Sequence, residues 1–427
     1  MSSLAREERT VGRAAVPGHR PLDVLIVTSE APPIVSGIST CIDRLTTGLT
    51  GRGHHVGVLS SIQIPRLTVG EWRLSSFVAH WPRIARELRH FDVVNVHGPV
   101  PTMSDAFLRL SDWLPPHARP AIVYTHHSPI DIRGAARMST RYNKLHESLA
   151  LRADRIVASS QHYARQHRSR YGPLVQAIPW GVDGRALPPS RVRSTPGELH
   201  VLFVGQMRPY KGVETLLAAA AGQPWLKLTL VGGGAELASY RRLAERLSAT
   251  NTRFMGRLCD AELHHQYGAN DVVVLPSVTR AEAFGLVLLE GMAAGCVPVA
   301  SDLPGVRDVA GPTGLVVPPG EPDALREALH GLACDAARLE HLQVASRLAA
   351  ETLTWERCVT SYERVLLDAV RTRYARLHGL AILPELDEQE RPRLVISTPD
   401  TDPHNPHPVI DPYPVPEVPV SPEEWHR

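Results

Sequence analysis

The sequence predicts an α/β protein made of two consecutive doubly wound domains of Rossmann-like type. Three observations carry this. Short apolar, β-branched runs alternate with stretches of helical period, many of those runs are apolar on both faces, and the series stops at a polar segment and then starts again. A strand apolar on both faces belongs in a parallel sheet covered by helices on each side. The chain, at 427 residues, is also longer than one hydrophobic core usually serves.

The elements follow in order. Residues 1–20 are polar, with no apolar stretch before a cleavage site, and read as a disordered leader and not a secretory signal. The first domain, 21–183, holds the strand-like runs LDVLIVTS (22–29), HVGVLS (55–60), DVVNVHG (92–98), AIVYTHH (121–127) and RIVAS (155–159). Residues 184–197 are rich in Pro, Arg and Ser and read as a linker. The second domain, 198–353, restarts with LHVLFVG (199–205), LKLTLVG (226–232), VVVLPS (272–277), CVPVAS (296–301) and GLVVP (314–318). A helix at 354–380 is expected to pack back towards the first domain. Residues 381–427 are Pro-rich without apolar period and read as a disordered tail. Two such domains are expected to face each other across a cleft, because open α/β sheets bind ligands at the carboxyl ends of their strands.

Composition narrows the function. A formal charge of +2 leaves no nucleic-acid footprint on the chain as a whole. Five widely spaced cysteines, Cys41, Cys259, Cys296, Cys334 and Cys358, argue against a disulfide framework and against a CxxC metal site, and fit a reducing cytoplasm. No run approaches the roughly 20 apolar residues of a spanning helix. The segment EWRLSSFVAHWPRIARELRH (71–90) reads as a basic amphipathic helix with Phe77, Trp81, Ile84 and Leu88 in a stripe. Such a stripe is usually core, and peripheral contact with the inner face of a membrane is the alternative.

Two clusters carry chemistry in the second domain. In VGQMRPYKGVETLL (204–217), Arg208 and Lys211 lie between a strand end and a helix start, where two cations suit a pyrophosphate and would stabilise a departing nucleoside diphosphate without a metal. Two solvated surface cations would give the same pattern. In EAFGLVLLE (282–290), Glu282 falls in the loop and Glu290 about a turn and a half into the helix, leaning back towards its start. One carboxylate can bind sugar hydroxyls and the other a ribose diol, although a capping acid and a solvated helical acid fit as well.

RPYKG followed by PSVTRAEAFGLVLLEGMAAGCVPVAS, with seven residues between its two acids, resembles the donor domain of the family-4 retaining glycosyltransferases of GT-B fold. The resemblance runs from about residue 22 to residue 373. It implies Arg208 and Lys211 on the donor phosphates, Glu282 on the transferred sugar and Glu290 on the ribose. It also implies that the amides around Phe284, Gly285 and Leu286 meet the sugar and phosphates, and that Arg257 and Leu258 in FMGRL lie near the base pocket. Gly232-Gly233-Gly234 is no dinucleotide fingerprint, because Leu237 stands where a third Gly or Ala is needed. Backbone clearance beside the donor, at Gly233, explains it better.

In the first domain, SEAPPIVSGISTCIDRL (29–45) matches the family's glycine-rich loop near the leaving phosphate at Gly37, while Ser36 replaces the first of the two glycines that many members carry. Relatives place a histidine at the strand end of YTHHS, which favours His127 with His126 as second choice, for orientation and polarisation and not for metal ligation. Arg133, Arg137, Arg141 and Lys144 follow at helical spacing on the acceptor side, where a phosphate-bearing acceptor could use them or water could simply solvate them. Asp400 and Asp402 have the acid-x-acid form of metal-dependent glycosyltransferases but fall in the tail and receive no role.

The expectation is a retaining, metal-independent hexosyltransferase with no cofactor. It would move a sugar from UDP or GDP to a hydroxyl of a glycan, lipid or small-molecule acceptor. His127, Arg208, Lys211 and Glu282 would be its catalytic set. A nucleotide-sugar epimerase of the same architecture and a non-catalytic sugar-nucleotide binding protein are the alternatives.

Overall fold

The computed structural model describes residues 20–69, 72–131, 135–183 and 197–379. Arg133, the linker up to residue 196, the N-terminal 19 residues and the tail with Asp400 and Asp402 lie outside the described residues. The chain divides into two compact units. Among the described residues the first comprises 20–159, 163–178 and 355–379, and the second 160–162 and 179–354.

The first unit is a parallel six-stranded sheet. Its strands are β1 (Asp23–Val27), β2 (His55–Leu59), β5 (Val93–Gly98), β6 (Ala121–His126), β7 (Arg155–Ala158) and β8 (Val175–Ala177), in the order β2-β1-β5-β6-β7-β8. Between β2 and β5 the chain inserts an antiparallel hairpin, β3 (Arg66–Val69) with β4 (Trp72–Ser75). Every residue of β5 and β6 is buried, which is why both read as unbroken apolar runs. Helices α1 (Gly37–Gly51), α2 (Phe77–Leu88), α3 (Ser104–Leu110), α4 (Ala136–Ala150) and α5 (Gln161–Tyr171) connect them.

The sequence suggested one helix from residue 71, but the chain is extended to Ser75 and α2 begins at Phe77. The apolar stripe of α2 faces inward. Phe77, Ile84 and Leu88 are buried, and Trp81 packs edge-on to Phe107 with ring centroids 6.1 Å apart. This stripe is core, so it offers no membrane contact. Among the described residues no helix is long and apolar enough to cross a membrane.

The second unit repeats the plan with β9 (Leu199–Val204), β10 (Leu226–Val231), β11 (Thr252–Gly256), β12 (Val272–Leu275), β13 (Val297–Ser301) and β14 (Leu315–Val317), all parallel, in the order β11-β10-β9-β12-β13-β14. Its helices are α6 (Val213–Ala220), α7 (Leu237–Arg246), α8 (Asp260–Ala269), α9 (Leu286–Ala293), α10 (Val306–Ala310), α11 (Pro322–Cys334) and α12 (Ala336–Thr352). The last helix, α13 (Trp355–His378), belongs to the first unit and packs on α1, β5 and β6. It buries Val359, Tyr362, Leu366 and Ala369 at helical spacing, and Glu363 accepts from Arg52 at 2.6 Å. None of the five cysteines forms a disulfide.

Candidate functional site

In the second unit β9, β10 and β11 step one way across the sheet, and β12, β13 and β14 step the other way. The switch point of the sheet therefore lies between β9 and β12, and its carboxyl edge is where open α/β sheets bind ligands. The predicted donor residues occupy this edge on four neighbouring strands. Arg208 and Lys211 follow β9, Gly233 follows β10, Arg257 and Leu258 follow β11, and Glu282, Phe284 and Gly285 follow β12, with Leu286 opening α9.

Local geometry explains the sequence here. After β9 the chain makes a single 3-10 turn, Pro209–Lys211, which ends on Gly212 at φ +70°. A Cβ at Gly212 would sit 1.8 Å from the Pro276 carbonyl oxygen, so only glycine lets the β9 and β12 loops approach this closely. Val278 N donates to Tyr210 O at 2.8 Å across the same contact. Gly232 has a comparable constraint, because its Cβ would meet Gly205 O at 1.8 Å. The glycine triplet thus owes at least its first member to packing within the unit. At Gly233 a Cβ would stand 3.1 Å from Arg257 Nε, so these two predicted residues do come together.

The approach of the two loops puts Lys211 against Glu282. Lys211 Nζ donates to Glu282 Oε2, and both side chains are largely buried, at 12% and 13% exposure. Burial pushes the lysine down, but the Glu282 carboxylate and Tyr210 together outweigh it and hold the ammonium above the usual lysine range. Arg208 is exposed beside them. Ser277 Oγ lies 3.5 Å from the same Glu282 oxygen. Glu290 is half-buried on α9, and Tyr267 of α8 donates its phenol to Glu290 Oε2 at 2.6 Å. Tyr267 is fully buried, and burial followed by the neighbouring Glu290 charge keeps its phenol protonated well above the usual range. Tyr267 is not legible from sequence, because its contact with Glu290 joins two helices.

The first unit places its predicted residues at its own carboxyl edge. Ser36 is the N-cap of α1: its Oγ accepts from Ser39 N at 3.1 Å, in extended backbone that needs no glycine. This accounts for serine where many members of the resembled family have glycine. Gly37 follows it as the first, exposed residue of α1.

His126 and His127 point into different surroundings, as successive strand-end residues do. His127 Nε2 lies 3.0 Å from His97 Nδ1 of β5, and its amide donates to Gly98 O at 2.9 Å. His126 packs edge-on to His167 and Tyr163, with ring centroids 4.4 and 5.2 Å away. His146 of α4 hydrogen-bonds the Tyr124 hydroxyl at 2.8 Å nearby. All of these histidines are buried. Burial pulls His127 and His146 down to about 4, and burial together with neighbouring histidines holds His97 and His126 well below the usual range. At neutral pH they are uncharged, so they offer neutral hydrogen-bonding groups and not cations. His97 is a member of this cluster that sequence reading missed.

Arg137, Arg141 and Lys144 are exposed on α4, while His146, on the buried face of that helix, joins the cluster. The structure does not bring these cations into the histidine group. Among the described residues no cluster of His, Cys, Asp or Glu could hold a metal ion.

Two parallel α/β units, one with acids and cations gathered at its switch point, define a nucleotide-binding architecture. Comparison with known proteins sharpens this. Residues 190–347 match the family described as Glycosyl transferases group 1, and residues 35–184 match Glycosyltransferase Family 4. The chain belongs to this glycosyltransferase family. It is 34% identical over 256 residues to the D-rhamnosyltransferase WbpZ of Pseudomonas aeruginosa, covering 56% of this chain and 64% of that protein. It is 36% identical over 255 residues to the O-antigen chain mannosyltransferase C of Escherichia coli, covering 57% of this chain and 66% of that protein. The chain thus matches just under two thirds of the length of either relative. Sucrose-phosphate synthase from Thermosynechococcus elongatus superposes with a TM-score of 0.66 at 22% identity, covering 84% of this chain and 99% of that one. The fold is GT-B.

Proposed function

We propose that the protein is a hexosyltransferase that takes its sugar from a nucleotide diphosphate sugar, with UDP or GDP as the nucleotide, and passes it to a hydroxyl of a glycan, lipid or small-molecule acceptor. The observation that carries this is the Lys211–Glu282 contact. It ties the β9 and β12 loops together at the switch point of the second unit and holds a charged ammonium beside a carboxylate. Family membership and the two relatives' names, a rhamnosyltransferase and a mannosyltransferase, support a hexose-sized sugar.

In this reading Arg208 and Lys211 bind the donor diphosphate. Glu282 exchanges part of its contact with Lys211 for sugar hydroxyls, and Glu290, held by Tyr267, accepts from the ribose. The first unit holds the acceptor, and neutral His127 serves as a hydrogen-bonding group. Transfer retains the anomeric configuration. The bond from the anomeric carbon to the phosphate oxygen breaks, a bond to the acceptor oxygen forms on the same face, and the acceptor proton passes to the leaving phosphate. Arg208 and Lys211 take up the charge that develops on the diphosphate, so the step needs no metal. NMR of the product tests retention, and an inverted centre contradicts it. Activity unaffected by a chelator tests metal independence. Incubation with donor alone separates transfer from epimerisation: release of an epimerised sugar and free nucleoside diphosphate without acceptor would establish the epimerase instead.

A further inference from the structure

The amino edge of the first unit's sheet carries more arginine than acid to meet it. Arg119 lies in the turn before β6, Arg152 between α4 and β7, and Arg373 and Arg376 on α13. Arg119 Nη2 donates to Arg152 O at 2.8 Å, and Arg373 Nη2 donates to Pro116 O at 2.8 Å, in the same turn as Arg119. The acids that meet these cations are already engaged. Asp112 Oδ1 pairs with Arg119 at 3.2 Å, and its Oδ2 accepts from Arg152 at 2.5 Å. Asp154 Oδ1 accepts from Arg376 at 2.9 Å, and its Oδ2 accepts from the Ile122 amide at 2.9 Å.

Arg373 is left with a backbone carbonyl. Among the described residues no carboxylate forms an ion pair with it. The Nε atoms of Arg373 and Arg119 are both enclosed without an acceptor. Enclosing a guanidinium nitrogen in this way costs free energy, and an oxyanion drawn between the two side chains would recover it. Burial, followed by the neighbouring Arg119 charge, pulls the Arg373 guanidinium below its usual range, so like charges are held close together here. Both arginines stay charged at neutral pH all the same.

From this we propose that Arg119, Arg373 and Arg376 form a binding site for a phosphate group, carried by inorganic phosphate or by a small soluble phosphate monoester. The charges match. Arg119, Arg152, Arg373 and Arg376 face only Asp112 and Asp154, and a phosphate of charge about −2 closes that difference. The planar fork of arginine also fits the oxygens of a phosphate. The site lies at the amino ends of β6 and β7, at the opposite edge of the sheet from His126 and His127. A bound phosphate would tie α13 to the turn before β6, so its binding stabilises the first unit. The site does not depend on the donor chemistry proposed above, because none of its residues belongs to the second unit.

The test is calorimetric titration of the full chain with inorganic phosphate and with glycerol phosphate, alongside melting curves in phosphate and in sodium chloride of equal ionic strength. Phosphate should raise the melting temperature beyond the chloride control. Arg373→Gln should weaken phosphate binding by about tenfold or more, the worth of one charge-assisted hydrogen bond. Without phosphate the same variant should melt at or above the parent's temperature, because it removes a cation that no acid balances; a purely structural arginine would lower it. Arg208→Ala, in the second unit, should keep the binding, and so should Arg83→Gln/Arg86→Gln, on exposed positions of α2. Tighter binding of glycerol phosphate assigns the site to a monoester, and tighter binding of inorganic phosphate assigns it to the free ion. A parent that responds to phosphate no more than to chloride, or undiminished binding by Arg373→Gln, would overturn the proposal. Loss of binding in Arg208→Ala would overturn it as well, by placing the phosphate on the donor loops.

Discussion

Replacing Lys211 with methionine keeps the volume and removes the charge. In the parent, Lys211 and Glu282 are each less than one-seventh exposed and satisfy one another. The variant leaves the Glu282 carboxylate in the same low-dielectric position with only Ser277 Oγ, at 3.5 Å, beside it. Breaking a buried pair from one side costs about 3–5 kcal/mol when burial is complete, and the residual solvent access here brings this to about 2–3 kcal/mol. For a unit of this size that lowers the melting temperature by roughly 4–10 °C. Lys211→Met/Glu282→Gln should recover most of the loss, because no charge is then left unpaired. The pair also sets a pH dependence. The folded pKa of Lys211 lies above its unfolded value of 10.5, so its stabilisation is complete below that value and disappears as pH rises through the folded pKa. In the parent, therefore, this contribution is lost only in strong alkali. The single variant should also lose roughly 10- to 150-fold in nucleoside diphosphate affinity, the worth of one charge-assisted hydrogen bond. Differential scanning calorimetry with isothermal titration measures both quantities. A variant within about 0.5 kcal/mol of the parent in stability, with unchanged diphosphate affinity, would refute the reasoning.

Three further outcomes follow from the geometry. Tyr267→Phe removes the 2.6 Å hydrogen bond to Glu290 and should cost about 1–2 kcal/mol of stability; it should also narrow the preference for ribose over 2′-deoxyribose nucleotides in a binding assay, and an unchanged preference would detach Tyr267 from the ribose contact. The buried histidines His97, His126, His127 and His146 have folded pKa values below the unfolded one, so the unfolded chain binds more protons as pH falls below about 6.5. The melting transition of the first unit should therefore weaken by up to about 1.4 kcal/mol per pH unit for each such histidine, continuing to about pH 4 for His127 and His146, and a transition flat from neutrality to pH 5 would contradict the cluster. Gly212→Ala puts a Cβ 1.8 Å from a carbonyl oxygen at φ +70°; it should destabilise the second unit by more than about 2 kcal/mol and weaken diphosphate binding, and near-parental stability would show that the loop approach is looser than described.

Much of this was legible in the sequence because central parallel strands advertise themselves. β5, β6, β12 and β13 are buried throughout and read as continuous apolar runs. The strands the sequence hid lie elsewhere. β8 is three residues long with Gln176 exposed, β11 is an edge strand with partly exposed residues, and the β3–β4 hairpin merged with the following helix into one amphipathic pattern. The gathering of Arg208, Lys211, Glu282 and Glu290 in the second unit was legible because Arg208 and Lys211, and Glu282 and Glu290, are near neighbours in sequence. Tyr267 and His97 were not, since each meets its partner through the fold, 23 and 30 residues away. Ser36 looked like a departure from pattern until its capping bond to Ser39 was seen.

The proposed function requires that the second unit bind a nucleotide diphosphate sugar through Arg208, Lys211, Glu282 and Glu290. Its most direct test is a thermal-shift panel of UDP, GDP and ADP sugars on the parent and on Arg208→Ala. A ligand at 100 times its dissociation constant stabilises the native state by about 2.7 kcal/mol, enough to move the transition by several degrees. At least one sugar nucleotide should raise the parent's melting temperature, and Arg208→Ala should largely abolish the shift. A parent indifferent to all three at millimolar concentration, or an Arg208→Ala variant that responds as fully as the parent, would contradict it.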